Sequence, residues 1–303
     1  MHQVKFISQF TEEFIDEKIY CEYKLIVYVD ILPIIINDNL CDPYTKISLN
    51  KNEHKYFFLQ IESYMIISRI INLLLNNEKF YEIFDIILTF DNNLLKKNKS
   101  IIFIPYQDYY WCKSPLIEKK NIFLEYYGVK GHFDYSNKLF TISFMCAHKN
   151  YCAGHKIRHQ IWDNQDKLSN VKFFYGLNNK NMKLHENNIP LKHPRDKTPM
   201  YENSMFCIVV ENNRSINYYT EKLMDCIVSK TIPIYYGCPN IDKYFNINGF
   251  ILFETVEQLI NIINILDEKY YHSKLEYVLE NYNIWLNTPN FKTKFKTIIN
   301  NYI

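Results

Sequence analysis

The stretch from Phe206 to Gly237, FCIVVENNRSINYYTEKLMDCIVSKTIPIYYG, constrains the fold more than any other part of the chain. An apolar run ends at Glu211 and Asn212, a polar loop carries Tyr218 and Tyr219, and Thr220 stands where a helix N-cap belongs. Glu221 suits a first turn, and Leu223, Cys226 and Ile227 recur at the spacing of a buried helical face. Ile232 to Tyr236 is a β-rich run that stops at Gly237. Strand, loop, helix and strand in that order predict one crossover unit of a parallel sheet.

Open α/β sheets bind ligands beyond the carboxyl ends of their strands, where helix N-termini offer free N–H groups and a positive dipole end. Glu211, Asn212, Tyr218, Glu221 and Lys222 all fall there. Lys222 is the informative residue, because a cation in the first turn opposes the helix dipole by a few tenths to roughly 1 kcal/mol. An anion is therefore expected to offset it. A phosphate fits that need, and the Glu221 carboxylate suits two hydrogen bonds from a ribose diol. The bland alternative is a solvated, charged first turn.

These residues resemble the donor-binding signature of the α1,3-fucosyltransferases, glycosyltransferase family ten. That signature runs FENS, then Y-x-T-E-K-L, then A-G-T-x-P-I-Y-W-G-x-P. Here Glu211-Asn212, Tyr218, Thr220-Glu221-Lys222-Leu223, Thr231-Ile232-Pro233-Ile234-Tyr235, Gly237 and Pro239-Asn240 stand in matching order and spacing. The chain departs at Asn213 for Ser, Asn217 for a common Gly, Ser229-Lys230 for a small pair, and Tyr236 for Trp. The resemblance implies that Glu211, Asn212, Tyr218, Thr220, Glu221 and Lys222 bind a nucleotide-sugar donor.

With 303 residues, 48% of them hydrophobic and 22% charged, the chain is long enough for two cores of about 100 to 150 residues each. A formal charge of +2 lacks the one-sided basic field of a nucleic-acid binder. Asn, Ile, Lys and Tyr are in such excess that a lone Asn or Tyr carries little functional weight. No segment approaches the roughly 20 apolar residues of a membrane span, and Ile31 to Ile36 is interrupted by Pro33. Met1 to Lys18 lacks the basic start and apolar core of a signal peptide. Eight cysteines show no C-x-x-C and no zinc-type spacing with His, so they read as reduced core residues. Asn213-Arg214-Ser215 is a glycosylation sequon inside the expected donor site, which argues against a secretory route. The expectation is a soluble, cytoplasmic protein, similar to the soluble microbial-type members of the family.

In the first half, residues 8 to 20 read as a short helix, Tyr23 to Val29 as a strand, and Asn37 to Lys55 as a polar stretch without pattern. Tyr56 to Ile61 reads as a second strand, residues 64 to 76 as a helix, and Phe84 to Thr89 and Ile101 to Ile104 as short strands. Glu62 closes the second strand, where it either caps the next helix or serves the site. The family carries F-E-S-P after an apolar strand, then an aspartate turn and I-F-V-P-Y-G. Gln60-Ile61-Glu62-Ser63, Leu88-Thr89-Phe90-Asp91 and Ile102-Phe103-Ile104-Pro105-Tyr106 follow that order. By resemblance, Glu62 is the candidate general base.

In the second half, Lys138 to Cys146 opens a new sheet after turn residues at Gly128 to Asn137, which places a boundary near residue 135. A helix is predicted over His155 to Leu168. It contains Arg158, in the position where the family places an arginine on the donor diphosphate; a lone helical Arg is otherwise a surface residue. Val171 to Gly176 reads as a strand, Leu177 to Pro199 as an insertion rather than a flap over the donor, and Phe250 to Phe253 as a strand. Residues 255 to 268, 273 to 286 and 290 to 302 read as amphipathic helices with Tyr277, Trp285 and Phe295 as anchors. The two α/β units fit the fold the resemblance implies: GT-B, two Rossmann-like domains facing a cleft, with C-terminal helices. Residues 1–135 would form a reduced acceptor-side domain and 136–270 the donor domain. Helices in 271–303 can pack back on the first domain.

Sugar transfer from a nucleotide diphosphate requires stabilisation of the leaving charge, a base for the acceptor hydroxyl, and exclusion of water. The chain has no Asp-x-Asp pair to hold a metal. A metal-independent clamp of Arg158, Lys222 and the helix start at Thr220 would serve instead, with no cofactor beyond the GDP-fucose donor. By resemblance the reaction is an inverting transfer of fucose to a glycan hydroxyl. Two other readings stay open: transfer of a different nucleotide sugar, or a non-catalytic carbohydrate-binding or assembly protein that keeps the donor fold.

Overall fold

A computed structural model describes residues 2–8, 21–108, 136–176, 182–192 and 197–302. The chain divides into two compact units, with the described residues up to Pro105 in the first and those from Ser136 onward in the second. The C-terminal helices belong to the second unit. Each unit is an α/β structure built on a parallel sheet.

The first sheet takes β1 (His2–Ser8), β2 (Cys21–Val29), β5 (His54–Leu59), β6 (Ile86–Thr89) and β7 (Ser100–Ile102) in that spatial order, every pair parallel. A small antiparallel hairpin, β3 (Ile34–Ile36) and β4 (Asn39–Cys41), sits between β2 and β5 in the chain. Helix α1 (Tyr64–Asn76) buries Ile67, Ile71 and Leu74, which lie at the three-and-four spacing of one face, and α2 (Glu78–Glu82) follows it. These residues join Tyr28, Tyr56, Phe58 and Phe84 in one core. Among the described strands the order never reverses, so they form no switch point.

The second sheet comprises β8 (Leu139–Cys146), β9 (Val171–Tyr175), β10 (Ile189–Pro190), β11 (Ser204–Val210), β12 (Ile232–Tyr236) and β13 (Ile251–Leu252). Its spatial order is β10-β9-β8-β11-β12-β13, all parallel, which is the 3-2-1-4-5-6 winding of a Rossmann sheet. Every residue of β11 is buried, as a central parallel strand covered on both faces must be. The helices are α3 (Ala153–Asp163), α4 (Thr198–Tyr201), α5 (Glu221–Ser229), α6 (Val256–Ile265), α7 (Glu268–Asn287) and α8 (Phe291–Tyr302). Trp162, Phe173, Phe206, Leu259, Tyr271 and Val278 share the core.

Most predicted elements are present, and the exceptions have physical reasons. His2–Ser8 is an edge strand for which the sequence predicts no element, apart from Ser8 at the start of the expected helix, and residues 9–20 of that helix lie outside the described residues. Asn37 to Lys55 contains β4 and the start of β5; a three-residue strand is too short to show a period. The stretch Leu177 to Pro199 is not a plain insertion, because Ile189 and Pro190 pair with Phe174 and Tyr175 as the sheet's edge. Pro190 is tolerated there, since an edge strand does not need every N–H. Most of the turn residues 128–137 lie outside the described residues. No described helix is long and apolar enough to cross a membrane.

Candidate active site

The Rossmann winding reverses between β8 and β11, and such a sheet opens a crevice at the carboxyl ends of the two diverging strands. A pocket of about 120 Å³ lies there. Met145, Ala147, Val209 and Val210 contribute the strand ends, and Arg158, Lys197 and Lys222 contribute three cations. The two cations singled out from the sequence therefore line one cavity.

Arg158 reaches the pocket because α3 starts unusually close to the end of β11. Gly154 donates its N–H to the Asn212 carbonyl at 3.1 Å, and a Cβ at Gly154 would lie 1.7 Å from the Glu211 carbonyl oxygen. Only glycine permits that approach. One turn on, Arg158 donates from Nε to the Val210 carbonyl at 3.1 Å and from Nη2 to Asn212 Oδ1 at 2.5 Å. A guanidinium has five N–H donors, so three remain for an anion.

Glu211 and Thr220 support Lys222 from behind the pocket lining. Glu211 is fully buried, and its carboxylate accepts the Thr220 N–H on Oε1 at 2.8 Å and the Thr220 hydroxyl on Oε2 at 2.7 Å. Thr220 Oγ1 in turn caps α5, accepting the Lys222 N–H at 3.4 Å and Lys222 Nζ at 3.0 Å. Gly237 also allows this packing, since a Cβ there would lie 2.7 Å from Glu211 Cγ. Glu211 thus ties the end of β11 to the start of α5 and stands behind the pocket wall.

Lys222 is not opposed to the helix dipole alone. Its ammonium lies 3.2 Å from Glu221 Oε1 and 3.6 Å from Glu211 Oε2, so two carboxylates supply the anionic offset inferred from its position. Lys197 lies 3.9 Å from Glu221 and 3.9 Å from Asp225. Burial pushes the Glu221 carboxyl up, but the Lys222 and Lys197 charges outweigh it and hold the group at about 2. Burial pushes Lys222 down, and Glu221 and Glu211 more than restore it, so it stays charged. Glu211 is raised by its own burial, against the pull of Lys222. The positive field reaches His155, which burial, then Arg158, Lys149 and Lys222, push down to about 4.

The loop from Asn212 to Tyr219 is held in one shape. Asn217 sits at φ 63°, a conformation natural to glycine and tolerated by asparagine, which explains why Asn replaces the family's common Gly. Its backbone N–H donates to Asn240 Oδ1 at 2.8 Å, and its side-chain oxygen accepts from Asn240 and from Tyr244. Lys230, which replaces a second family glycine, likewise adopts φ 55°, with Nζ 4.2 Å from the Tyr282 ring centre. Tyr236, the substitute for Trp, lies under the Arg214 guanidinium at 5.1 Å. Tyr218 is buried at 1% exposure. Lys197 was missed in the sequence because it ends an aperiodic stretch; only folding brings it beside Glu221.

Glu62 belongs to the first unit, three residues beyond Leu59, the last residue of β5, and is half-buried. Ser63, not Glu62, occupies the N-cap position of α1, and the first turn of that helix carries no acidic residue. The backbone of Glu62 is bonded on both sides, with its N–H on Asp30 and its carbonyl on Gln60.

A Rossmann-ordered sheet with three cations and a capped helix start at its switch point defines an α/β protein with a candidate anion-binding crevice. The profile of glycosyltransferase family 10 (fucosyltransferase), C-terminal region, matches residues 135–296. The chain belongs to this family. It is 32% identical over 102 residues to the α-(1,3)-fucosyltransferase FucT of Helicobacter pylori, a match that spans 33% of this chain and 21% of that protein. Among solved structures, that of TarM superposes with a TM-score of 0.50 at 11% identity, covering 92% of this chain and 54% of the other. An α1,3-fucosyltransferase crystal structure superposes with a TM-score of 0.49 at 18% identity, covering 88% and 79%.

Proposed function

We propose that this protein is an inverting, metal-independent glycosyltransferase that transfers fucose from GDP-fucose to a glycan hydroxyl in the cytoplasm. The observation that carries the reading is the convergence of Arg158 and Lys222 on one pocket at the switch point, beside the N-terminus of α5. The nucleotide diphosphate would displace carboxylate contacts of Lys222 and take the remaining N–H donors of Arg158. Glu221 would accept the ribose hydroxyls, with Asn212 and Tyr218 shaping the loop around the donor. Membership of family 10, and the partial match to an α-(1,3)-fucosyltransferase, support fucose as the transferred sugar.

The acceptor oxygen forms a bond to the anomeric carbon as the bond from that carbon to the β-phosphate oxygen breaks. The bonding pair leaves with GDP, whose added charge the cations stabilise, and the hydroxyl proton passes to Glu62. One displacement inverts the centre, so a β-linked donor gives an α-fucoside.

Calorimetry with GDP, GDP-fucose, UDP and UDP-glucose tests the donor assignment, and GDP release in the presence of EDTA tests metal independence. Tight binding of GDP and GDP-fucose, with GDP release undiminished by EDTA, is expected. Preference for a uridine nucleotide would replace the fucosyl reading with another sugar, and no nucleotide binding would leave a non-catalytic protein.

A further inference from the structure

We infer that Asp30, Gln60 and Thr89 form a positioning frame that fixes the backbone of Glu62 from both sides. The inference rests on the reading of Glu62 as the base. The three side chains come from the ends of three adjacent strands, β2, β5 and β6, and each is at most 1% exposed. Polar groups buried so completely at the end of a sheet cost stability unless hydrogen-bonded, and these are bonded to one another and to one short segment.

Asp30 accepts the Ile61 N–H on Oδ1 and the Glu62 N–H on Oδ2, both at 2.9 Å. Its own N–H continues the ladder to the Leu59 carbonyl, and its φ of 50° turns the chain so that the carboxylate faces the neighbouring strand's end. Gln60 Nε2 donates to the Glu62 carbonyl at 3.0 Å. Thr89 holds the other end of that amide. The Glu62 carbonyl can only accept, so the Gln60 NH₂ faces it and Gln60 Oε1 receives the Thr89 hydroxyl hydrogen, while Thr89 Oγ1 receives the Asp91 N–H at 2.9 Å. The N–H and the carbonyl of Glu62 are thus both held by buried side chains whose own orientations are set by further bonds. A proton acceptor needs its carboxylate within a few tenths of an ångström of the productive place, and a residue on a free loop end does not achieve that.

The variants are Asp30→Asn, the isosteric Thr89→Val, Glu62→Gln, and the Asp30→Asn, Glu62→Gln double variant. GDP release from GDP-fucose with water as acceptor gives the rate, GDP calorimetry gives donor binding, and amide hydrogen exchange reads Ile61 and Glu62 directly. In the unaltered protein both amides should be protected. Asp30→Asn should expose one or both, lower kcat about 10- to 100-fold and leave the donor KM and GDP Kd within about twofold. Thr89→Val should lower kcat about 3- to 10-fold. In the Glu62→Gln background, Asp30→Asn should change kcat by less than about twofold, which a merely structural frame would not produce. Unprotected amides in the unaltered protein would overturn the frame, and so would full kcat in both Asp30→Asn and Thr89→Val while Glu62→Gln is inactive. If Asp30→Asn does not fold, Thr89→Val alone decides. Full kcat in Glu62→Gln would sink the base assignment itself, and the frame's catalytic purpose with it.

Discussion

The Glu211 carboxylate receives the N–H of Thr220 on one oxygen and the hydroxyl of Thr220 on the other, at 2.8 and 2.7 Å. This pair joins the first residue after β11 to the cap of α5 and leaves Thr220 Oγ1 to accept from Lys222. Glu211→Ala would strand both Thr220 donors and remove one of the carboxylates on Lys222. The expected loss is about 2–4 kcal/mol of stability, read from urea denaturation, since broken buried charged pairs cost that much. Glu211→Gln keeps one acceptor and should lose about half as much.

Arg158→Ala and Lys222→Ala should each weaken GDP binding about 10- to 100-fold, because charge-assisted hydrogen bonds contribute about 1.5–3 kcal/mol. GDP release should fall at least about 100-fold, since charge develops on the diphosphate in the transition state. Arg158→Lys should not restore it, as an ammonium cannot hold Val210, Asn212 and a phosphate together. Full activity in both alanine variants would remove the clamp.

Gly154→Ala tests whether close approach of α3 places Arg158. Its Cβ would collide with the Glu211 carbonyl oxygen at 1.7 Å, which is backbone and cannot swing aside. The helix must retreat, at a cost of about 1–3 kcal/mol, and Arg158 moves with it. A lowered melting temperature together with weakened GDP binding is expected; unchanged GDP affinity would separate the glycine from the site.

Lys197→Met should weaken GDP binding about 3- to 10-fold and lower the melting temperature. The change removes one of the pocket's three cations and one partner each of Glu221 and Asp225. GDP calorimetry checks the first effect and a thermal melt the second.

Two carboxylates should bend the pH–stability curve in opposite senses. Burial raises Asp30 to about 8, against the pull of its two N–H bonds and with Glu62 adding to the rise. Its contribution is full below the ordinary value of 3.8 and is lost as pH rises towards 8, because the unfolded chain ionises first. Glu221, held at about 2, contributes above the ordinary 4.5, and that contribution is lost as pH falls to 2. Denaturation midpoints should therefore decline as pH rises from the ordinary 3.8 towards about 8 in the unaltered protein, and that decline should flatten in Asp30→Asn.

Local periodicity and punctuation set the elements that the sequence determined by itself. Helix α1 over residues 64 to 76, the cap at Thr220, the buried face of Leu223, Cys226 and Ile227, and strand β12 all follow from spacing over a few residues. Asn217 and Lys230 stood out in the sequence only as departures from the resembled motif, and the structure showed that both take positive φ. Short strands such as β4 and β10 stayed hidden, because two or three residues cannot display an alternation. Only the tertiary structure decided the strand order, and hence that β8 and β11 diverge with Arg158, Lys197 and Lys222 around one pocket. It also showed that Lys222 faces two carboxylates of its own chain, and that Asp30, Gln60 and Thr89 meet at Glu62. Contacts between residues dozens of positions apart depend on sheet winding and on where a glycine lets two backbones touch, which no local pattern encodes.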